Sequence, residues 1–438
     1  MPFAPVPRDP VTAGRRLADY VVLGTSPDVP LIAADYWELS APAYREVRAV
    51  VTDLVAARPD AGYAHRRLDG NPRDETAFRD LAAALGRILA DQAGTLAKVT
   101  ALLDEADPAI WIDHVMGDDF SSQVPPCGLG TLRGIPAPPP RLAAPVPVRV
   151  NVVIPFRDSE PGGRSRNLLA CLRSLADQDM ASGQFRVTVV ETDAEPRAAR
   201  LVAGLADRYL FGYNPGIFNK SWAVNLGLRD GAVRSAGADL TCVLDADILV
   251  ERSFLRVNAA RFAAGHDAHL PYQHMYSLDN PSSDHAIRVR LGLETAGPGP
   301  ASPGPAGTPG VDTAGLRGLL LRDTPGACLW ARTGTLCRIG GFDERFEGWG
   351  GEDDDVVSRL RQSCELVRYD DQLLHLSHPR PMMLREDGAM FNAHLADAHR
   401  AEPWTGSDGF GDPGRFHAPM SPRRAGGAQI NTVPEARR

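Results

Sequence analysis

Residues 240–250 read Leu-Thr-Cys-Val-Leu-Asp-Ala-Asp-Ile-Leu-Val. Five apolar or β-branched residues run without a break into two carboxylates separated by one alanine. A run this short and this apolar fits a strand buried on both faces better than a helix. Acids at its carboxyl end point to a ligand, because open parallel sheets bind beyond the carboxyl ends of their strands.

Outward from this stretch the chain alternates. Val150–Pro155 is a second apolar, β-branched run that stops at a proline, and Phe185–Asp193 (FRVTVVETD) is a third. Arg166 to Leu175 and Lys220 to Leu228 carry helical patterns between them. Strands separated by helices at this spacing predict an α/β domain with a mostly parallel sheet. Its strands deliver polar groups to one end: Phe156-Arg157-Asp158, Glu191 with Asp193, and Asp245 with Asp247.

Upstream the pattern changes. Phe78, Leu81, Leu85, Ile88, Leu89, Leu96, Val99, Leu102 and Leu103 recur at three- and four-residue steps, predicting one long helix. Tyr44, Val47, Val51, Leu54 and Val55 predict a shorter one, so residues 1–122 read as a mainly helical accessory region. Eight prolines between Pro125 and Pro147 mark residues 123–147 as a linker. The α/β domain then spans 148–400. Ten of the fourteen residues from Gly297 to Gly310 are glycine or proline, which predicts a flexible insertion at 295–312. Residues 401–438, rich in Gly, Pro and Arg, are expected to carry little order.

Composition bounds the function. The chain has 438 residues, 43% apolar and 23% charged, the profile of a soluble protein of two or three domains. A net charge of −8 argues against a nucleic-acid binder or a polybasic membrane anchor. Lys98 and Lys220 are the only lysines. Six cysteines without a CxxC pair do not suggest a disulfide scaffold or a zinc site. No apolar run approaches the roughly 20 residues that span a bilayer, and MPFAPVPRDP has no apolar signal-peptide core. The expected location is the cytoplasm, at most peripheral to the inner face of the membrane.

Two motifs carry chemistry. Asp245-Ala246-Asp247 places two carboxylates where they can hold a hard divalent ion against a diphosphate. Gly340 to Asp355 reads GGFDERFEGWGGEDDD. Its four consecutive acids suit a helix N-terminus, where they offset the helix dipole. The preceding Gly-Trp-Gly-Gly loop also suits a sugar, with the indole face stacking on a pyranose and a carboxylate accepting a hydroxyl proton.

GGFDERFEGWGGEDDD resembles the C-terminal signature of the inverting β4-galactosyltransferases, the animal enzymes and their bacterial relatives. Three segments agree in order: Asn151 to Arg157 resembles the family's opening strand and donor-binding turn, Phe218 to Gly227 its FNR-type helix, and Asp245-Ala246-Asp247 its metal motif. The resemblance covers residues 148–395. It implies a family 2-like GT-A fold, a nucleotide-sugar-binding, mostly parallel sheet with helices on both faces, a UDP-sugar donor, and Mn2+ or Mg2+. Pro155, Phe156 and Arg157 would contact the nucleotide, and Glu191 or Asp193 would approach the base or ribose. Asp247 would ligate the metal, while Asp245 would meet the ribose or a group behind the metal. Asp353 matches the family's general base. Glu352 would bind donor or acceptor sugar, and Trp349, with Gly350 and Gly351, would cap the sugar site. His375 and His378 are the candidates for the remaining metal ligand, with His378 favoured by the Pro-Arg that follows. Lys220 is open between a phosphate contact and a helix-surface cation, and Asn225 between the donor pocket and a turn cap.

The resulting expectation is a metal-dependent inverting transferase that moves a galactose, N-acetylgalactosamine, glucose or N-acetylglucosamine to a saccharide, glycolipid or glycosylated natural product. The alternatives are a chondroitin-like polymerising enzyme, a retaining transferase, or an inactive carbohydrate-binding relative. Related retaining enzymes carry an amide where this chain has Asp353, which favours inversion. Unlike the animal enzymes, the protein is expected to have no membrane anchor or stem.

Overall fold

The computed structural model describes residues 7–136, 149–158, 163–181, 183–234, 239–294, 312–379, 391–395, 402–406 and 409–416. In chain order the strands are β1 (Ile112–Met116), β2 (Val150–Phe156), β3 (Phe185–Asp193), β4 (Arg208–Tyr213), β5 (Leu240–Leu244), β6 (Ile248–Leu249), β7 (Ala268–Leu270), β8 (His274–Leu278), β9 (Arg317–Arg322), β10 (Cys328–Arg332), β11 (Leu366–Arg368) and β12 (Leu373–His375). The chain divides into two units. No helix among the described residues is long and apolar enough to cross a membrane.

The first unit takes the chain up to Val124 together with His274–Ser282 and Thr313–Asp323. Five helices of twelve or more residues dominate it: Pro10–Thr25, Ala34–Val55, Pro59–Gly70, Glu75–Asp91 and Ala93–Ala106. Asp9 caps the first by accepting the Val11 and Thr12 amides, with Pro10 in the first turn. The long helix expected from Phe78 to Leu103 is two, because Gln92 leaves helical geometry at φ −134°, ψ 79°. The unit is also not wholly helical. β1, β9 and β8 form an antiparallel sheet in that order, pairing Ile112 with Leu321 and His274 with Arg322. The buried Arg322 guanidinium donates to Asp113 at 2.6 Å and to Asp107 at 2.9 Å, which compensates its burial.

The second unit holds a seven-stranded sheet in the order β11-β7-β10-β5-β2-β3-β4. β5, β2, β3 and β4 are parallel, with Val150 opposite both Leu240 and Phe185 and Thr188 opposite Arg208. β10 runs antiparallel between β5 and β7. Every residue of β2 and β5 is buried, which explains their unbroken apolar pattern. The chain moves outward from β2 to β3 and β4, then returns to place β5 on the other side of β2. That reversal opens a cleft beyond the carboxyl ends of β2 and β5, where Arg157 and Asp245 emerge.

The helix Lys220–Arg234 lies close on β2 and β3 because Gly227 has no side chain: a Cβ there would sit 2.4 Å from Val153 Cγ1. Trp222 is buried with Val153, Val190, Leu210, Ala223 and Leu226. This packing sets Lys220, the first residue of the helix, at the carboxyl edge of the sheet.

Two segments differ from expectation. The described part of the 123–147 stretch contains the helix Leu129–Gly134. Residues 402–406 and 409–416, within the stretch expected to carry little order, pack firmly. Trp404 Nε1 donates to Gly340 O at 2.9 Å, Trp222 Nε1 donates to Asp412 O at 2.8 Å, and Phe416 meets Trp222 edge to face at 5.2 Å. A few aromatic anchors outweigh a Gly/Pro-rich composition. Residues 295–311 of the expected insertion lie outside the described residues.

Candidate active site

Pro155, Phe156, Arg157, Lys220, Asp245 and Asp247 line the cleft together with Arg164, Asn167 and Phe218. Arg157 is held in place from behind, donating to Gly216 O at 2.7 Å, Asn214 O at 3.1 Å and Asp193 at 3.3 Å. A guanidinium fixed in this way suits a diphosphate. Asp193 thus orients Arg157.

Two expected site residues are used elsewhere. Glu191 is fully buried, accepting the Arg197 amide at 3.1 Å, the Ala198 amide at 3.0 Å and the Tyr209 hydroxyl. Those bonds fix the turn after β3 and occupy the Glu191 carboxylate. Asn225 is also fully buried. It donates to Phe342 O and Glu344 Oε1 and accepts the Phe342 amide, each at 2.8 Å. It braces the Lys220–Arg234 helix against the loop that leads to the acidic run.

Lys220 lines the cleft and meets carboxylates there, so it is not a solvated helix-surface cation. Its Nζ lies 2.8 Å from Asp353 Oδ2, 3.1 Å from Asp245 Oδ1 and 3.7 Å from Glu352 Oε1. The four side chains keep between 12% and 26% of their surface exposed, so the group sits at the cleft wall. Burial works against the Lys220 charge, but Asp245, Asp353 and Glu352 outweigh it and lift its pKa well above the ordinary value. Burial pushes Asp245 up to about 6 against the pull of Lys220. Burial and then the Asp353 charge push Glu352 up to about 7.

The four consecutive acids occupy the first turn of the helix Glu352–Ser363, as the dipole argument expects. The helix then sorts them. Glu352 and Asp353 face Lys220, whereas Asp355 pairs with Arg359 one turn on at 2.6 Å and Asp354 is exposed. Gly350 and Gly351 both take φ 94°, a left-handed pair that turns the chain into the helix. Asn392 holds this loop: its Oδ1 accepts the Glu347 amide at 3.2 Å, and its Nδ2 donates to Trp349 O at 3.3 Å and Gly350 O at 2.7 Å. On the other flank, a Cβ on Gly326 would lie 2.5 Å from Asp353 Oδ2.

Asp247, His375 and His378 form a candidate metal centre, their ligand atoms within 4.8 Å of one another. His378 Nε2 lies 3.2 Å from Asp247 Oδ2 and His375 Nε2 lies 3.5 Å from Oδ1. Both histidines converge, where the sequence favoured one. Donation from His378 Nδ1 to Pro379 O at 2.7 Å leaves Nε2 as the lone-pair nitrogen facing Asp247. One carboxylate and two imidazoles therefore fit a divalent transition ion. The backbone is pinned around them: Leu376 N donates to Asp247 O at 2.8 Å, Asn167 Nδ2 to Ser377 O at 3.0 Å, and Ser377 N to Ser283 Oγ at 2.8 Å. Asn167, Ser283, Asn392 and Gly326 escape sequence reasoning, since each acts on residues distant in the chain.

Residues 326–380 match the sequence model for the N-terminal domain of galactosyltransferase. No curated protein gives a significant match. Among solved structures, the catalytic domain of Drosophila β1,4-galactosyltransferase 7 in complex with xylobiose is similar at 15% identity and a TM-score of 0.29, over 55% of this chain and 77% of that one. A mutant of the same enzyme with manganese, UDP-Gal and xylobiose gives 15% identity and a TM-score of 0.26, over 53% and 71%. A nucleotide-diphospho-sugar transferase, so described, from Desulfovibrio desulfuricans gives 12% identity and a TM-score of 0.29, over 53% and 83%. The segment that resembles the galactosyltransferases is thus the one that carries Trp349, Glu352, Asp353, His375 and His378.

Proposed function

We propose that the protein is a metal-dependent, inverting glycosyltransferase. It moves a hexose (galactose, glucose or an N-acetylated form) from a UDP-sugar to a hydroxyl of a saccharide, glycolipid or glycosylated natural product in the cytoplasm. The observation that carries the reading is the shared ammonium: Lys220 touches both Asp353, at 2.8 Å, and Asp245, at 3.1 Å, two residues before Asp247. The candidate base and the candidate metal motif therefore face one cleft.

In this reading Arg157, held by Asp193 and two carbonyls, meets the diphosphate. The Asp353 carboxylate takes the proton of the acceptor hydroxyl. The freed oxygen bonds to the sugar's anomeric carbon from the face opposite UDP; the bond from that carbon to the diphosphate oxygen breaks, and the configuration inverts. Glu352 binds a sugar hydroxyl beside it. Mn2+ or Mg2+ held by Asp247, His375 and His378 would neutralise charge on the departing diphosphate.

The test is UDP release from UDP-galactose, UDP-glucose and their N-acetylated forms, with Mn2+ and with chelator. Chelator-sensitive turnover of one donor is expected. Turnover indifferent to chelator would overturn the metal assignment. Asp353→Asn should keep donor and metal binding and lose transfer; a fully active variant would remove the general-base role.

A further inference from the structure

Lys220 is one of two lysines in the chain, and its ammonium is the meeting point of three carboxylates from two separate elements. Asp245 directly follows β5, whereas Glu352 and Asp353 open the helix Glu352–Ser363. Among the described residues no arginine or histidine pairs with any of these three acids. Nearby groups on the other flank are Gly326, whose backbone would crowd any added atom against Asp353 Oδ2, and the buried Tyr272 phenol. An ammonium turns freely and offers three donors, so it can serve acceptors converging from different directions.

The base of the ammonium is rigid. Trp222 and Gly227 seat the Lys220–Arg234 helix against β2 and β3, and Asn219 caps its first turn by accepting the Trp222 amide at 2.7 Å. Asp353, by contrast, sits at the start of a helix reached through Gly350 and Gly351. Without a tether from the sheet, its carboxylate would follow the glycine loop.

We infer that Lys220 is a positioning residue for Asp353, tying the proton-accepting carboxylate to the strand end that bears Asp245 and Asp247 and so setting its distance from the donor cleft. This rests on the transferase reading above. Removing the tether lets Asp353 drift, and a misplacement of about 1 Å costs on the order of 100-fold in rate. Among the described residues, Lys220 makes no ion pair or hydrogen bond with Arg157 or Asp247, so the loss should fall on kcat more than on donor binding.

The experiment compares Lys220→Met, Lys220→Arg and the full-length wild type at saturating donor and acceptor. Lys220→Met should lower kcat for transfer by roughly 100-fold, with donor KM within threefold of wild type. Lys220→Arg should recover at least tenfold of that loss. A kcat within threefold of wild type in Lys220→Met, a donor KM that rises as far as kcat falls, or an arginine variant no better than methionine each overturns the inference. Melting temperatures provide a second arm free of activity. Lys220→Met strands like charges together, so Lys220→Met with Asp353→Asn should melt above Lys220→Met alone. A double variant that melts no higher, or that is not recovered folded, overturns the bridge. Wild-type enzyme inert toward every UDP-sugar would instead sink the transferase reading, while the melting order still tests the bridge.

Discussion

Gly326→Ala isolates the placement of Asp353 from its chemistry. A Cβ at Gly326 would lie 2.5 Å from Asp353 Oδ2, 3.2 Å from Cγ and 3.7 Å from Cβ. Non-bonded carbon prefers heavy-atom neighbours at about 3.5 Å, so the carboxylate oxygen must retreat by roughly 1 Å while the Asp353 stem stays put. The retreat breaks the 2.8 Å contact with Lys220 and shifts the oxygen proposed to take the acceptor proton. Backbone strain contributes nothing, because φ at Gly326 lies outside the left-handed region. A side-chain rotation relieves the clash, so the stability loss should sit near the low end for overpacking, about 1 kcal/mol. The rate loss should be about 100-fold, since catalysis depends on placement to within an ångström. Steady-state kcat for transfer, donor KM and melting temperature measured together are the assay. A variant with wild-type kcat would refute the claim that Gly326 sets the Asp353 carboxylate. One that loses rate only in proportion to folded protein would refute it equally. The neighbouring Ala327, at φ 73°, supplies the control: Ala327→Gly leaves Asp353 in place and relieves roughly 1 kcal/mol of backbone strain.

The metal centre, the acidic turn and the core give three further expectations. Asp247→Ala should abolish Mn2+ binding in calorimetric titration, and Asn167→Ala, which unpins Ser377 between the two histidines, should weaken it by roughly 10-fold; unchanged affinity in either would remove that residue from the site. Burial holds Glu352 up to about 7, so the folded protein retains a proton that the unfolded chain releases near 4.5. That stability is complete below pH 4.5 and is lost as pH rises towards 7, so Glu352→Gln should gain about 3 kcal/mol on wild type in urea unfolding at pH 8 and nothing at pH 4. A gain that grew towards acid would contradict the sign. His269 has the opposite window. Burial, aided by the neighbouring His266 and Arg261 charges, depresses it to about 2. Its Nε2 donates to Asn258 Oδ1 at 3.0 Å and its Nδ1 accepts from His266 at 3.0 Å, an arrangement that needs the neutral ring. Stability should be full above pH 6.5 and fall by roughly 2 kcal/mol at pH 5 as the unfolded ring protonates. His269→Gln should flatten that slope.

What the sequence made legible is what short-range order controls. β3 spans Phe185–Asp193 as read, β2 gains only Phe156, and the Lys220 helix starts where its pattern starts. Asp245 and Asp247 line one cleft, and Lys220 joins Asp245 to Glu352 and Asp353, because strand ends and helix starts are local features that a shared sheet brings together. What stayed hidden depends on partners far along the chain. β1 finds β9 some two hundred residues later, which no periodicity announces. Glu191 and Asn225 occupy motif positions, yet a buried polar group must first satisfy its hydrogen bonds, and backbone amides and carbonyls claimed both.

The acidic run shows why the two kinds of information had to be joined. Four successive carboxylates on a helix are spread around its axis by about 100° each, so they cannot all face one cleft. Dipole compensation explains why acids collect in the first turn, but it treats all four alike. Their separate fates follow from what each meets. Asp355 reaches Arg359 one turn below, a pair readable from i,i+4 spacing alone. Glu352 and Asp353 reach an ammonium 132 and 133 positions upstream in the chain, which only the sheet could bring to them. On the proposed transferase reading, catalytic capacity belongs to the two acids whose partner is distant, because a partner on a helix seated against the sheet can aim a carboxylate at a cleft that the sheet itself builds.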